Sequence, residues 1–354
     1  MTTQNDLFTK LEKEHRRILL YGMGNGADKI LKEMEKRHIP VAGIFASDGF
    51  VRGHCFHGMR VMSYSEVKEQ YTREECVILL AFGSSRPEVL SLFEQVNADF
   101  DLLVPDMPVC GGPLFDAPYL QENLPSVTAA RDLWENEDSK RVYDGIIAFR
   151  LSGKFSQLLS AVSEKEPWEY VKESGITIEG IADLGAYNGD SAREALSLVS
   201  PKLIVAAEPD RRNFKKLSDW SESVTACTVE CHQVAICDRV GEAAFDDSGN
   251  RNAGLCTGRT HTTVSTATLD SLLQGRRVDY VKYDVEGAER DALLGSVDTI
   301  RTHRPILRVA LYHRSGDLFE LPLLLREICP DYRFYLTRAR SVPAWDIDLV
   351  AIPR

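Results

Sequence analysis

Basic residues are in short supply: 42 Lys and Arg face 53 Asp and Glu across 354 residues, for a formal net charge of −11. Proteins that track a nucleic-acid backbone normally carry a basic surface, so an extended nucleic-acid footprint is disfavoured, although a local basic pocket is not. Long apolar runs are missing too. None approaches the ~18–20 residues needed to span a bilayer, so no membrane span is expected. The opening stretch MTTQNDLFTKLEKEHRR is polar and has no apolar signal-peptide core. The cysteines at 55, 76, 110, 227, 231, 237, 256 and 329 are scattered rather than spaced as a disulfide framework, which suggests reduced thiols and a soluble, cytoplasmic protein. Repeats of fixed period and low-complexity tracts are absent as well. With 44% hydrophobic and 27% charged residues, usage is ordinary for a globular chain, which excludes fibrous and extended disordered classes.

What is present is two alternating series, and ~150 residues per domain leaves room for both. The first begins with the apolar run 18–21, which opens into Gly22-Met23-Gly24-Asn25-Gly26 and a helical stretch with Ile30, Leu31 and Met34 on one face. Further apolar runs at 41–45 and 77–82 flank it, the latter followed by Gly83-Ser84-Ser85-Arg86 and another amphipathic helix. Strand, glycine turn, helix, strand implies a parallel sheet. Three prolines and a Gly-Gly pair between 105 and 113 then punctuate the chain. Residues 121–171 show only helical patterning, broken at Gly153 and Pro167. A second series follows, with strands expected over 178–184, 203–207, around 229–236, 278–285 and 306–312, and a polar stretch over 246–259. Two short runs, 332–337 and 347–352, have no helix between them and should form an antiparallel pair. The expectation is an α/β protein with two Rossmann-like doubly wound domains, the second closed by a terminal antiparallel hairpin. The divisions expected are 1–110 for a Rossmann-like N-terminal domain, 111–172 for a helical connector, and 173–354 for the second domain.

Three segments carry chemistry. Ile181-Ala182-Asp183-Leu184-Gly185-Ala186-Tyr187-Asn188-Gly189-Asp190 is an apolar strand that ends in an acid and turns through glycine into a helix. Ligands of doubly wound sheets bind beyond the carboxyl ends of the strands, where strand order reverses. No Lys-Ser or Lys-Thr follows the glycines, and Asp183 would repel a pyrophosphate but suits a cationic ligand. The next strand ends at Glu208-Pro209-Asp210, an acid placed to accept hydrogen bonds from ribose hydroxyls. Ribose plus an amine-bearing group, without phosphate, fits S-adenosyl-L-methionine better than a dinucleotide, while helix capping by Asp183 and Glu208 is the plain alternative. In Val281-Lys282-Tyr283-Asp284-Val285-Glu286, a period of two places Lys282, Asp284 and Glu286 on one side. Charges in a central parallel strand are costly unless paired or used. The alternatives are an internal Lys282–Asp284 ion pair and a reactive site. With His313 after the following strand, four polar strand ends converge.

The stretches DLGAYNGDS (183–191), Glu208-Pro209, TLDSLL (268–273), VDYVKYDVEGAE (278–289) and Leu311-Tyr312-His313 together resemble the FkbM-type S-adenosylmethionine-dependent methyltransferases. The resemblance implies a class I methyltransferase fold, with Asp183, Gly185 and Glu208 at the cofactor and Asp284 near its methionine end or the acceptor. The full candidate cofactor-binding set is Asp183, Gly185, Tyr187, Gly189, Asp190, Glu208 and Ala235. The candidate catalytic set is Asp284, His313, Lys282 and Glu286. For a hydroxyl acceptor His313 is the first choice of base, because an imidazole titrates near neutrality. A divalent ion on Asp284, Glu286 and His313 would suit those ligand types, but no metal is assigned. Residues 16–104 resemble, more weakly, Rossmann-like domains of sugar-modifying acyltransferases, which implies Gly22, Gly24, Gly26 and Arg86 as phosphate-facing groups for a nucleotide-sugar. The alternative there is a domain used only for packing or dimerisation, and a homo-oligomer is left open. Methylation of a sugar, glycan precursor or small metabolite at oxygen is the expected activity. The competing reading is a non-catalytic nucleotide-sugar-binding or regulatory protein with a degenerate methyltransferase domain.

Overall fold

The computed structural model describes residues 6–51, 53, 55–245 and 262–354. The polar stretch expected over 246–259 lies outside them. Among the described residues, β1 (Arg17–Tyr21), β2 (Gly43–Ala46), β3 (Cys55–Phe56), β4 (Met59–Ser63), β5 (Cys76–Leu80) and β6 (Asp101–Leu103) form one sheet in the order β3-β4-β2-β1-β5-β6. All its pairings are parallel except β3 with β4. The three longest apolar runs of the first series became β1, β2 and β5, which are almost wholly buried. The short strands β4 and β6 were not foreseen, because their few apolar residues carry no periodicity to read.

The stretch read as helical over 121–171 does form helices, at Ala117–Arg131, Glu137–Ser152, Phe155–Ser160 and Pro167–Ser174. Its two expected breaks have physical causes. Gly153 ends one helix in a left-handed conformation (φ 64°), and Pro167 opens another at its first turn, where a missing N–H costs nothing.

The second sheet is built from β7 (Gly180–Leu184), β8 (Leu203–Ala207), β9 (Thr228–His232), β13 (Tyr280–Tyr283), β14 (Ile306–Ala310), β15 (Tyr332–Arg338) and β16 (Ile347–Pro353), in the order β15-β16-β14-β13-β7-β8-β9. The inner pairings from β9 to β14 are parallel, and β16 runs antiparallel to both β14 and β15. Five parallel strands closed by an antiparallel hairpin is the plan expected of a class I methyltransferase fold. The strand expected around 229–236 divides: after β9 the chain leaves the sheet, and β10 (Ala235–Ile236) joins β11 (Gly241–Phe245) and β12 (Thr262–Ala267) in a separate three-stranded sheet.

The order of strands reverses at β7, between β8 on one side and β13 on the other, which places a crevice above their carboxyl ends. One apolar core runs through both sheets, from Leu19 and Phe45 through Ile146 and Phe149 to Tyr283 and Leu349. Among the described residues no helix is long and apolar enough to cross a membrane.

Candidate active site

The site begins with register. Lys282 on β13 lies directly beside Asp183 on β7, so the two side chains share a face of the sheet. Lys282 Nζ is 3.5 Å from Asp183 Oδ1, 3.5 Å from Asp284 Oδ2 and 3.2 Å from the carbonyl of Gly185. The internal ion pair considered from the sequence therefore exists, but it is a bridge between two carboxylates rather than a pair. Burial alone would lower the lysine's pKa. Asp183 and Asp284 outweigh that effect and raise it, so the ammonium stays charged. Burial pushes Asp183 up despite Lys282, whereas Lys282, His313 and Arg308 overcome burial at Asp284 and pull it down.

The turn after β7 is fixed by close approach. A Cβ on Gly185 would lie 1.8 Å from the Asp284 carbonyl oxygen, and its φ is +79°, so only glycine lets the ends of β7 and β13 meet. The following residues reach across to β8, with Gly185 N and Ala186 N donating to the Ala207 carbonyl at 3.0 and 2.9 Å.

Glu208, the first residue beyond β8, closes the other side. One carboxylate oxygen accepts from Tyr187 N at 2.8 Å and the other from Asp210 N at 2.9 Å. A carboxylate offers about four lone-pair directions, so roughly two are left for a ligand. Burial raises the Glu208 carboxyl to about 7, against the pull of those two N–H groups. Asp210 in turn caps the helix Arg211–Ser221 by accepting from Arg212 N and Asn213 N.

A cavity of about 630 Å³ opens above these strand ends. Its walls include Gly185, Tyr187, Asp190, Glu208 and Ala235 of the expected cofactor set, and Lys282, Asp284 and Glu286 of the expected catalytic set. Three expected residues do not line it. Asp183 is buried beneath Lys282. Gly189 begins the helix Asp190–Leu198, and a Cβ there would meet the Trp220 ring at 2.6 Å, so this glycine answers to packing. His313 is wholly buried behind the cavity face.

The strand reading of the 281–286 segment is corrected by the structure. β13 stops at Tyr283, and Glu286 lies in a turn with φ +52°. That turn is what brings Glu286 back toward His313. The imidazole Nε2 is 3.4 Å from Glu286 Oε2 and 3.6 Å from Asp284 Oδ1, while Nδ1 is 2.9 Å from Glu289 Oε1. Burial opposes charging of this ring, but Glu289, Glu286 and Asp284 outweigh it and raise its pKa well above the ordinary histidine value. Buried and outside the cavity lining, His313 is poorly placed for the role of base. The cavity-facing carboxylates Asp284 and Glu286 are better placed, and burial raises the Glu286 carboxyl toward proton affinity.

Sequence reading missed Glu289, Arg308 and Asp346. Glu289 reads as an ordinary first-turn acid of its helix. Arg308 carried a usable signal, a lone charge in the apolar strand ILRVA, and it bonds Asp348 at 2.8 Å while lining the cavity. Asp346 falls in the loop before β16, where no pattern marks it.

In the first sheet the glycine turn faces the chain itself. A Cβ on Gly22 would lie 2.4 Å from the Phe82 ring and one on Gly26 2.2 Å from the Ala81 carbonyl oxygen, so packing by itself requires glycine at both. Gly24 faces open space, and Arg86 is an exposed side chain 3.5 Å from Glu88.

Residues 183–336 match the family model of the methyltransferase FkbM domain. No curated protein matches the chain. Among solved structures, an FkbM methyltransferase from Methylobacillus flagellatus KT is 17% identical, with 99% of this chain and 95% of that one covered at a TM-score of 0.74. Fibrillarin from Aeropyrum pernix, crystallised with natively bound S-adenosyl-L-methionine, is 9% identical over 52% of this chain and 74% of its own, at a TM-score of 0.34. A rRNA methylase from Streptococcus thermophilus is 12% identical over 54% of this chain and 99% of its own, also at 0.34.

Proposed function

With a methyltransferase FkbM domain over residues 183–336 as the premise, we propose that the chain is an S-adenosylmethionine-dependent methyltransferase acting on a hydroxyl of a sugar, glycan precursor or small metabolite. The observation that carries the reading is the pairing of Glu208 with the Gly185 turn at the reversal point of the second sheet. A ribose needs an acceptor at the end of β8, and Glu208 keeps about two lone-pair directions free there. A positively charged sulfonium needs a negative environment, and Asp190, Glu208, Asp284 and Glu286 around the cavity provide one. The donor, when bound, supplies a methyl group on a good leaving group, displaced in line by the acceptor.

The chain's own residues bind, orient and exclude water. In this reading Tyr187, Ala235 and Ile236, which line the cavity, would wall an adenosyl group, and Asp284, Glu286 and Tyr312, which also line it, would face the acceptor. Lys282 cannot reach freely into that space, because Asp183 and Gly185 hold its ammonium; its part is to fix Asp284. Asp284 is also 3.3 Å from the Tyr312 hydroxyl, which donates to it. A proton leaving an acceptor hydroxyl meets these carboxylates first. His313, behind them, is a positioning residue. The domain limits 1–110, 111–172 and 173–354 belong to the same proposal, with the first unit serving as a packing partner for the third. Titration with S-adenosylhomocysteine tests the reading: saturable binding that is lost in Glu208→Ala and in Asp183→Ala supports it, and binding that survives both sinks it.

A further inference from the structure

Behind the acceptor wall lies a concentration of buried polar atoms that no hydrogen bond satisfies. His313 Nδ1, His313 Nε2, Glu286 Oε2 and Glu289 Oε2 are all buried, and none makes a well-aligned hydrogen bond, although Nδ1 lies 2.9 Å from Glu289 Oε1 and Nε2 3.4 Å from Glu286 Oε2. Unpaired buried polar atoms are costly and uncommon in folded proteins. Here four of them meet around one imidazole that is itself wholly buried. Three carboxylates face that ring at 2.9 to 3.6 Å. Lys282 is the nearest basic side chain to Asp284, but its ammonium is shared with Asp183 and the Gly185 carbonyl. Arg314 turns its Nε to the Gly287 carbonyl. Asp317 adds a further buried acid nearby, its carboxylate accepting from Arg314 N at 2.8 Å. Four acids, Asp284, Glu286, Glu289 and Asp317, thus gather near the ring, while Lys282 and Arg314 are engaged by other groups as well.

One donor atom from each of Asp284, Glu289 and His313 lies within 4.8 Å of the other two. We propose that Asp284, Glu289 and His313, with Glu286 alongside, bind a divalent cation at the acceptor side of the methyltransferase cavity. Carboxylate oxygens favour hard ions and imidazole favours transition metals, so an ion that accepts both, such as Mn²⁺, is the class that fits. Catalytic metal sites use few protein ligands and leave a position open. Asp284, with a side chain 32% exposed, borders the cavity and provides that opening, whereas Glu289 and His313 are closed off from it. A cation there would hold an acceptor hydroxyl beside the methyl-donor space and favour loss of its proton to the cavity-facing Glu286 carboxylate. It would also pair one imidazole nitrogen and the unpaired oxygens of Glu286 and Glu289. The use of the ion rests on the methyltransferase reading; the cation site itself rests on the cluster.

The test is titration of the metal-stripped full chain with Mn²⁺, read by calorimetry and by electron paramagnetic resonance of the bound ion, alongside Asp284→Asn and Glu289→Gln. Saturable uptake of one ion per chain, weakened at least tenfold in both variants, supports the site. A folded parent that takes up no Mn²⁺, or uptake unchanged in both variants, overturns it. Should the buried Glu289→Gln fail to fold by circular dichroism, Asp284→Asn at the cavity edge decides alone. S-adenosylhomocysteine is titrated into the same samples. Its binding without Mn²⁺ uptake sinks the cation site and leaves the methyltransferase reading standing, whereas Mn²⁺ uptake without its binding supports the site and sinks that reading.

Discussion

A single carboxylate, Glu208, concentrates the consequences of burial. Burial holds its pKa at about 7, while a ribose hydroxyl pair would bind the ionised form. S-adenosylhomocysteine affinity should therefore rise with pH and level off above about 7, falling roughly tenfold per unit below it. Glu208→Gln should flatten that profile, and Glu208→Ala should weaken binding on the order of 30-fold, the loss of ~2 kcal/mol of charge-assisted hydrogen bonding. Calorimetric titration across pH checks both, and an affinity independent of pH in the parent would contradict them. The same raised pKa has a stability sign. Relative to an unfolded value near 4.5, Glu208 favours the fold at low pH, and that contribution is lost as pH climbs through about 7. Asp284→Ala should leave a folded protein whose turnover drops by ~10²-fold or more, since its carboxylate meets Lys282, Tyr312 and the cavity at once; unaltered turnover would remove Asp284 from the site. Asp183, Glu208 and Asp284 were legible in the sequence because each acid ends an apolar run. Glu289 was not, because an acid in the first turn of a helix has an ordinary electrostatic explanation.

Elements were legible in proportion to their apolar length. β8, ending at Ala207, coincides with the expected run, and the terminal hairpin was readable because no helical stretch separates its strands. The end of β13 was misread because polar-apolar alternation continues past Tyr283 although the strand does not; Glu286 adopts φ +52°, and its carboxylate lies 3.4 Å from His313 Nε2. The β10-β12-β11 sheet had no comparable signal. The tightest constraint between elements is at Gly185, where the added methyl of Gly185→Ala would meet the Asp284 carbonyl oxygen at 1.8 Å. That substitution should cost about 3 kcal/mol or more and separate β7 from β13. Urea denaturation measures it, and a midpoint equal to the parent's would show that the two strand ends are not pressed together.

Across the whole molecule, the two sheets share a core and loops that flank them make direct backbone contact. Ser84, after β5, exchanges two hydrogen bonds with Val342 in the loop before β16, at 2.8 and 3.0 Å. The connector helices belong to the second sheet as much as to the chain between: Arg338 of β15, buried, donates to the carbonyls of Leu158 and Ala161 at 2.9 and 3.3 Å. The linker reaches the site itself, where Cys110 N donates to the His313 carbonyl at 3.0 Å and Cys110 Sγ approaches the Glu286 carbonyl at 3.1 Å. None of these long-range contacts leaves a trace in local sequence pattern, which is why two alternating series were readable but their union was not. Calorimetric unfolding should accordingly give one cooperative transition. Two well-separated transitions would contradict the continuous core.

The central claim is that the carboxyl ends of β7, β8 and β13 hold an adenosyl ligand. A crystal structure of the full chain soaked with S-adenosylhomocysteine tests it most directly. The account predicts the ribose hydroxyls on Glu208 and the sulfur turned toward Asp284, with space left beside Glu286. Density for the ligand at the Gly22–Gly26 turn of the first sheet, or none in the 630 Å³ cavity at saturating concentration, would contradict it.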